Sequence, residues 1–520
     1  MPNPDYRTMF PDLEPFYPVP SDLSDLALLM SGTAGPFKVS GTPAGYTYLS
    51  QFVVHDISYE EDTDRFFAGD RPWDILNKAG LDSLRNLRRP NFDLEILYGQ
   101  VVPGNRGETA RQDLLAIQGK FPTLPLLRLG YTDAEPLSDA RADESFPCDL
   151  RRGLASATAR IVDPRNDENL ILAQTQVAFT KLHNAIVLWI NESDPTDLEP
   201  DVVQSLFERA RRLTIRYYQT IILTDLLPKI IEDSVLDQVL ADVTPPRLFY
   251  RPDLYVPYEF SAAAFRFGHS MVKEEYAINN SRKAASLAQL LTFTGPGEMR
   301  SVPGTPVVSL PSSWIVDWNR FYTLDKADLN FAEQINTELP MALRKLQPVA
   351  GGDPKAMANS LPALDLFRGR RLGLPCGQEI ADYIEVAAVA PSDICDLIDR
   401  REISGMSPAD QRALKDRLKA AFAERTPLWY YILAEAELSP DGKLGAVGSR
   451  IVAETIVQML FYSDHSILAE EWTSEDGALL VDEKFDMPMM FRFIQDMNEK
   501  HFDYLYPNSI NPFDEINPLG

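Results

Sequence analysis

The chain has 520 residues, 45% hydrophobic and 24% charged, an ordinary globular balance with enough apolar material for a large core. Its formal charge of −26, from 76 acidic and 50 basic residues, argues against a nucleic-acid or anionic-membrane partner, because both need a basic footprint. Three cysteines, Cys148, Cys376 and Cys395, are odd in number and far apart, so neither a disulfide framework nor a thiolate metal site is indicated.

No apolar run reaches about 18 residues, so no membrane span is expected. The start, Met1-Pro-Asn-Pro-Asp, lacks a basic segment leading into an apolar one. The expectation is a soluble, cytoplasmic protein, with leaderless secretion left open. Nothing in the sequence sets an oligomeric state.

Residues 1–45 are rich in Pro, Gly and Ser and predict an extended surface arm before one large domain over 46–520. A helix follows over 46–57. In it Gln51 and His55 are four apart and share a face, while Asp56 points about 100° away. The bland reading is a half-buried helix with a satisfied core histidine. Residues 65–166 are irregular and predict long wrapping loops. They include Arg89-Pro-Asn91-Phe-Asp93-Leu-Glu95-Ile-Leu-Tyr98-Gly99.

Asp163-Pro-Arg165-Asn-Asp-Glu168 reads as a helix start, with Asp163 as cap and Pro164 in the first turn. Leu172, Gln176, Phe179, Leu182, His183, Ile186 and Ile190 then keep helical spacing. A second helix runs from about Pro200 and should end before Pro228. A third is expected over 257–272, carrying Phe265-Arg-Phe-Gly-His269. There one imidazole beside a glycine, in apolar surroundings, suits an axial haem ligand. Further helices are expected near 325–347, 376–386, 407–424, 427–438, 444–463 and 486–499, so the fold class is mainly α. Asp365 stands in an apolar run before Arg368, Arg370 and Arg371. A buried carboxylate needs a partner there, either an arginine or a metal-bound histidine. His183, His465 and His501 are read as structural or surface residues.

Taken together and in order, these segments resemble the animal-type haem peroxidases of the peroxidase–cyclooxygenase superfamily, over roughly residues 45–465. The resemblance implies a haem b cofactor, hydrogen peroxide as substrate and a small reducing donor. It implies that Gln51 and His55 form the distal wall with Arg165, and that Glu168 can be esterified to haem. His269 would be the iron ligand, Asp365 its hydrogen-bond partner and Arg368 a propionate contact. Asp56, with Asn91, Asp93 and Glu95, would hold Ca2+. Arg89 stands where that loop has a ligand and could instead supply positive charge itself.

Three departures matter. Val54 stands where mammalian members have a second ester-forming Asp, and Asn169 where one has a sulfonium-forming Met. Glu168 is the ester link left open. Asp365 replaces the family's Asn, which would give His269 more imidazolate character. The implied reaction has His55 move a proton between peroxide oxygens and Arg165 stabilise developing charge, through a ferryl haem intermediate. The rival reading is a fatty-acid dioxygenase of the same superfamily. Those enzymes carry a radical-forming Tyr three residues before the proximal His, where this chain has Arg266. A non-catalytic scaffold is the weaker alternative.

Overall fold

A computed structural model describes residues 5–31, 38–60, 74–99, 115–116, 124–132, 145–153, 156–191, 198–241, 254–291, 309–324, 328–340, 343 and 360–501. Its helices of ten residues or more are α1 (Pro20–Met30), α2 (Gly45–Ile57), α3 (Leu170–Ile190), α4 (Pro200–Thr220) and α5 (Leu361–Leu372). They continue with α6 (Pro391–Arg400), α7 (Pro408–Phe422), α8 (Leu428–Leu438), α9 (Ala446–Phe461) and α10 (Met487–Lys500). Strands among the described residues form two-stranded pairs. The fold is mainly α.

One hydrophobic core runs from Tyr6 and Met9 through α1 and α2 to Met497 in α10. Residues 1–45 are therefore more than an extended arm. Pro20 and Asp22 suit a first helical turn, and Leu23, Leu26, Leu29 and Met30 recur at helical spacing and are buried. The same segment is tied down twice more. Tyr6–Arg7 pairs in parallel with Val256–Pro257, and Val39–Pro43 pairs antiparallel with Phe331–Glu333.

Helix α2 is enclosed on nearly every side, with Gln51 and Val54 its least buried residues. It packs on α3, on the 3₁₀ turn Pro164–Asp167, on the short helix Glu95–Tyr98 and on the 3₁₀ segment Ala264–Ser270. It begins at Gly45 because a Cβ there would collide with the Tyr322 ring and the Phe321 carbonyl. The Pro164–Asp167 turn and the Ala264–Ser270 segment thus meet on one helix.

The structure corrects several sequence expectations. The helix expected to stop before Pro228 continues through a π-helical stretch, Ile221–Leu226, into Leu227–Ile230. A widened turn breaks the i→i−4 ladder just where proline has no N–H to give. Residues 257–272 are not one α-helix. Tyr258–Ala262 is α-helical, Ala263 leaves helical geometry at φ −137°, and Ala264–Ser270 is 3₁₀. The helix expected over 325–347 lies partly outside the described residues; within them stands the strand Phe331–Glu333. Helices α5 and α6 were not foreseen. Helix α5 has Pro362 in its first turn and ends on Gly373 at φ 67°, a left-handed cap. Among the described residues no helix is long and apolar enough to cross a membrane.

Candidate active site

The first half of the candidate site, the one expected to be distal, is built from α2 and the turn after Asp163. The Asp163 side chain accepts from the Arg165 backbone N–H (3.0 Å), capping the 3₁₀ turn, and from Arg165 Nη2 (2.7 Å). Its Oδ2 also accepts from Arg88 Nη2 (2.8 Å). Burial alone would raise this carboxyl, but the bonds from Arg165 and the charge of Arg88 hold it well below the carboxylate range. Arg165 lies over the Tyr59 ring, 4.2 Å from its centroid, and its Nη2 donates to the His55 carbonyl (3.1 Å). That carbonyl belongs to the last turn of α2, where a cation is favourable. So Arg165 is brought to His55 through its backbone.

His55 is buried, and its Nδ1 lies 2.8 Å from Asn166 Oδ1. Burial, and then the nearby Arg165 charge, push its pKa down to about 3, so the imidazole is neutral at neutral pH. Gln51 Oε1 accepts from Asn169 Nδ2 (3.1 Å), and the Asn169 side chain also caps α3. Glu168 is exposed, and desolvation by the chain around it pushes its pKa up to about 7 against the pull of Arg165.

The second half, the one expected to be proximal, is built from the Ala264–Ser270 segment and α5. His269 Nδ1 is 2.7 Å from Asp365 Oδ2, and Asp365 Oδ1 accepts from Arg266 Nη1 (2.8 Å). Arg368 Nη1 lies 3.8 Å from the same carboxylate. Asp365 is fully buried; burial raises its pKa, but Arg266, His269 and Arg368 together leave it lowered. An ionised acceptor puts the His269 proton on Nδ1 and leaves the Nε2 lone pair for a metal. The His269 side chain keeps 31% of its surface accessible, and a Cβ on Gly268 would meet nothing within 4 Å. Arg368 is itself buried, which pushes its pKa down to about 10.

The candidate calcium loop is occupied by protein groups. Asp56 is fully buried and accepts from the N–H groups of Leu94 (3.1 Å) and Ile96 (3.2 Å). Arg89 Nε donates to Glu95, its Nη1 to Asp464 (3.0 Å), and its Nη2 lies 3.7 Å from Asp93. Asn91 Nδ2 turns toward Asp93 (2.5 Å). A guanidinium thus stands among the carboxylates meant for the ion, so this donor set does not fit Ca2+. Among the described residues, no group of three or more His, Cys, Asp or Glu is arranged to hold a metal ion. His183 is a core residue, beside Tyr98 Oη (2.9 Å) and the Pro125 carbonyl (3.1 Å).

The sequence profile of the animal haem peroxidase family matches residues 126–466, more than half of the chain. The chain belongs to the animal haem peroxidase family. The match contains Arg165, Glu168, His269, Asp365 and Arg368 but begins after Gln51 and His55. This chain is 26% identical over 220 residues to a dual oxidase of Drosophila melanogaster, and 26% over 256 residues to a peroxidase-like protein of Margaritifera margaritifera. These alignments cover 41% and 46% of the chain, but only 12% and 29% of those proteins. Its fold is similar to that of a fatty acid alpha-dioxygenase from Arabidopsis thaliana. There the TM-score is 0.56 at 13% identity, covering 96% of this chain and 77% of that one. The Oryza sativa fatty acid alpha-dioxygenase gives 0.54 at 14%, covering 95% and 81%. At such identities the likeness concerns fold alone.

The residues fit the haem that the family implies. The oriented imidazole of His269 and the open space at Gly268 are suited to hold and border a flat iron-bearing ring. Sequence reading passed over Asn166, Gln176 and the Arg266–Asp365 bond. These contacts join residues 10 to 111 positions apart, which no short motif records.

Proposed function

We propose that this chain reduces hydrogen peroxide and oxidises a small donor, with haem held by His269. The observation that carries this reading over the dioxygenase is Arg266. It stands three residues before His269, where the rival chemistry needs a phenol, and its guanidinium is committed to Asp365. The nearby tyrosines are also engaged or buried: Tyr258 donates to the Leu81 carbonyl and stacks on Tyr6, and Tyr255 is buried.

Haem, when bound, supplies the iron that activates peroxide and stores its oxidising equivalents. The rest falls to the chain. His55, kept neutral by its surroundings, would take a proton from one peroxide oxygen and return it to the departing one. Arg165, fixed by Asp163 and Tyr59, adds positive charge beside His55 as charge builds on oxygen. Gln51 is a further distal donor, steadied by Asn169. Asp365 holds the His269 ring and its proton at Nδ1. Glu168 is the candidate for an ester to haem. Arg89 takes over the charge that a calcium ion was expected to bring to the Asp93–Glu95 loop.

The test compares two turnovers of the haem-loaded protein. With peroxide and a panel of phenol, halide and thiocyanate donors, donor oxidation is expected. With linoleate, oxygen and no peroxide, no oxygen uptake is expected. The reverse pattern would establish the dioxygenase reading. Free extraction of haem by acid–acetone would remove the Glu168 ester.

A further inference from the structure

The polar chain behind His55 has a direction. Asparagine and glutamine amides can present either end to a neighbour, so a pair of them does not by itself orient anything. A backbone carbonyl can only accept. Gln176 donates through Nε2 to the Ile96 carbonyl (3.4 Å), which turns its Oε1 toward Asn166. Asn166 Nδ2 donates to that Oε1 (2.8 Å), which turns Asn166 Oδ1 toward His55 Nδ1 (2.8 Å). An acceptor at that position requires the proton on Nδ1.

The Ile96 end is itself fixed. Ile96 lies in the short helix Glu95–Tyr98, and its carbonyl is among the last four, which have no partner within their helix. Its N–H donates to Asp56 Oδ1 (3.2 Å), the residue after His55 on α2. The ring of contacts therefore starts and ends on the same helix. Asn166, Gln176 and Ile96 are buried to 3% exposure or less, so bulk water does not replace the missing partner if one is removed.

We propose that Asn166 and Gln176 are positioning residues that transmit the polarity of the Ile96 carbonyl to His55 and fix it as the Nδ1–H tautomer. Nε2 is then the atom that accepts the proton. The assignment of that proton to peroxide rests on the peroxidase reading above; the tautomer does not. Arg165 leaves Nε2 free, because its own contact with His55 is to the carbonyl. An Asn166→Leu or Gln176→Leu change removes the direction without touching Arg165, Gln51 or His269.

The test is long-range ¹H–¹⁵N correlation of the haem-loaded protein labelled with ¹⁵N-histidine, in its diamagnetic ferrous carbon-monoxide state. Five histidines are present, and His55 is identified by the resonances lost in His55→Gln. The expected result is a protonated Nδ1 and a bare Nε2 in the unaltered protein. In Asn166→Leu and Gln176→Leu a mixed or reversed tautomer is expected, with reaction with peroxide slower by about ten- to a hundred-fold. A protonated Nε2 in the unaltered protein overturns the proposal whether or not the variants fold. An unchanged tautomer in both folded variants also overturns it. A His55 with bare Nε2 in a protein that shows no peroxide turnover would keep the tautomer and sink the peroxidase reading instead.

Discussion

Replacing Asp365 by asparagine restores the residue that this family usually carries there, and it should harm this chain. Asp365 is fully buried and accepts from two donors at once, His269 Nδ1 at 2.7 Å and Arg266 Nη1 at 2.8 Å. An amide can offer its oxygen to one of them and must turn its NH2 to the other. One partly buried donor is left without an acceptor, which costs about 1–3 kcal/mol at most. Breaking the ion pair to Arg266 costs about 3–5 kcal/mol where both partners are buried. Arg266 keeps 24% of its side chain accessible and can be partly rehydrated, so the combined loss should lie near about 3 kcal/mol. At about 2 cal/mol/K of unfolding entropy per residue over 520 residues, this lowers Tm by about 3 °C.

With His269 as the proposed iron ligand, the same change should weaken its electron donation to the iron. The ferric–ferrous midpoint potential should rise by at least about 60 mV, the equivalent of one tenfold change in relative affinity for a one-electron couple. Arg266 and Arg368 already share the carboxylate's charge, which keeps the rise modest. Thermal denaturation and spectroelectrochemical titration of Asp365→Asn, Arg266→Gln and the double variant would measure both effects. A coupling of about 1–3 kcal/mol between the two positions is expected. Unchanged Tm and potential in Asp365→Asn would refute the reasoning.

His269→Ala should lose haem or displace its Soret band; an unchanged spectrum removes His269 as ligand. The pH profile has a definite sign. His55 titrates at about 3 in the folded protein, below the ordinary 6.5, so its base form persists as pH falls. The second-order rate with peroxide should hold to below pH 5, and an acid limb near 6.5 would contradict the buried, neutral imidazole. The same depression means that the unfolded chain takes up this proton first, so the His55 contribution to stability declines as pH falls through 6.5 toward 3. Arg89 gives a third check: EDTA should leave Tm and haem content unchanged. Arg89→Ala should lower stability by about 1 kcal/mol, a small figure because the guanidinium is half-exposed. Loss of stability in EDTA, restored by Ca2+, would show that an ion still holds the loop.

What the sequence made legible was local. The Asp163 cap and Pro164 in the turn act within a few residues and are present, but they cap a 3₁₀ turn, and the helix that follows takes Asn169 as its own cap. Helix α2 was legible to within one residue at its start, but it was expected half-buried and is enclosed on nearly every side. The break at Ala263 was not legible, because the alanines and phenylalanines of 262–267 suit an α-helix as well as a 3₁₀ segment; packing of α8, α9 and α2 around it decides. Helix α1 was hidden by the Pro-, Gly- and Ser-rich residues on both sides of it. The partner of Asp365 was half legible: His269 was expected, but Arg266 as the second partner needed the fold to bring α5 against its segment. Arg89 was legible as a misfit in a cation loop, and its contact with Glu95 shows why the misfit is tolerated.

The most direct test of the central claim is stopped-flow mixing of the haem-loaded protein with hydrogen peroxide, followed at the Soret band, for the unaltered chain and for His55→Ala. The expected result is a second-order reaction slowed by about two to four decades in His55→Ala, with haem content unchanged. Equal rates in the two proteins would contradict the role of His55 as the proton-moving group and, with it, the distal site assembled around α2.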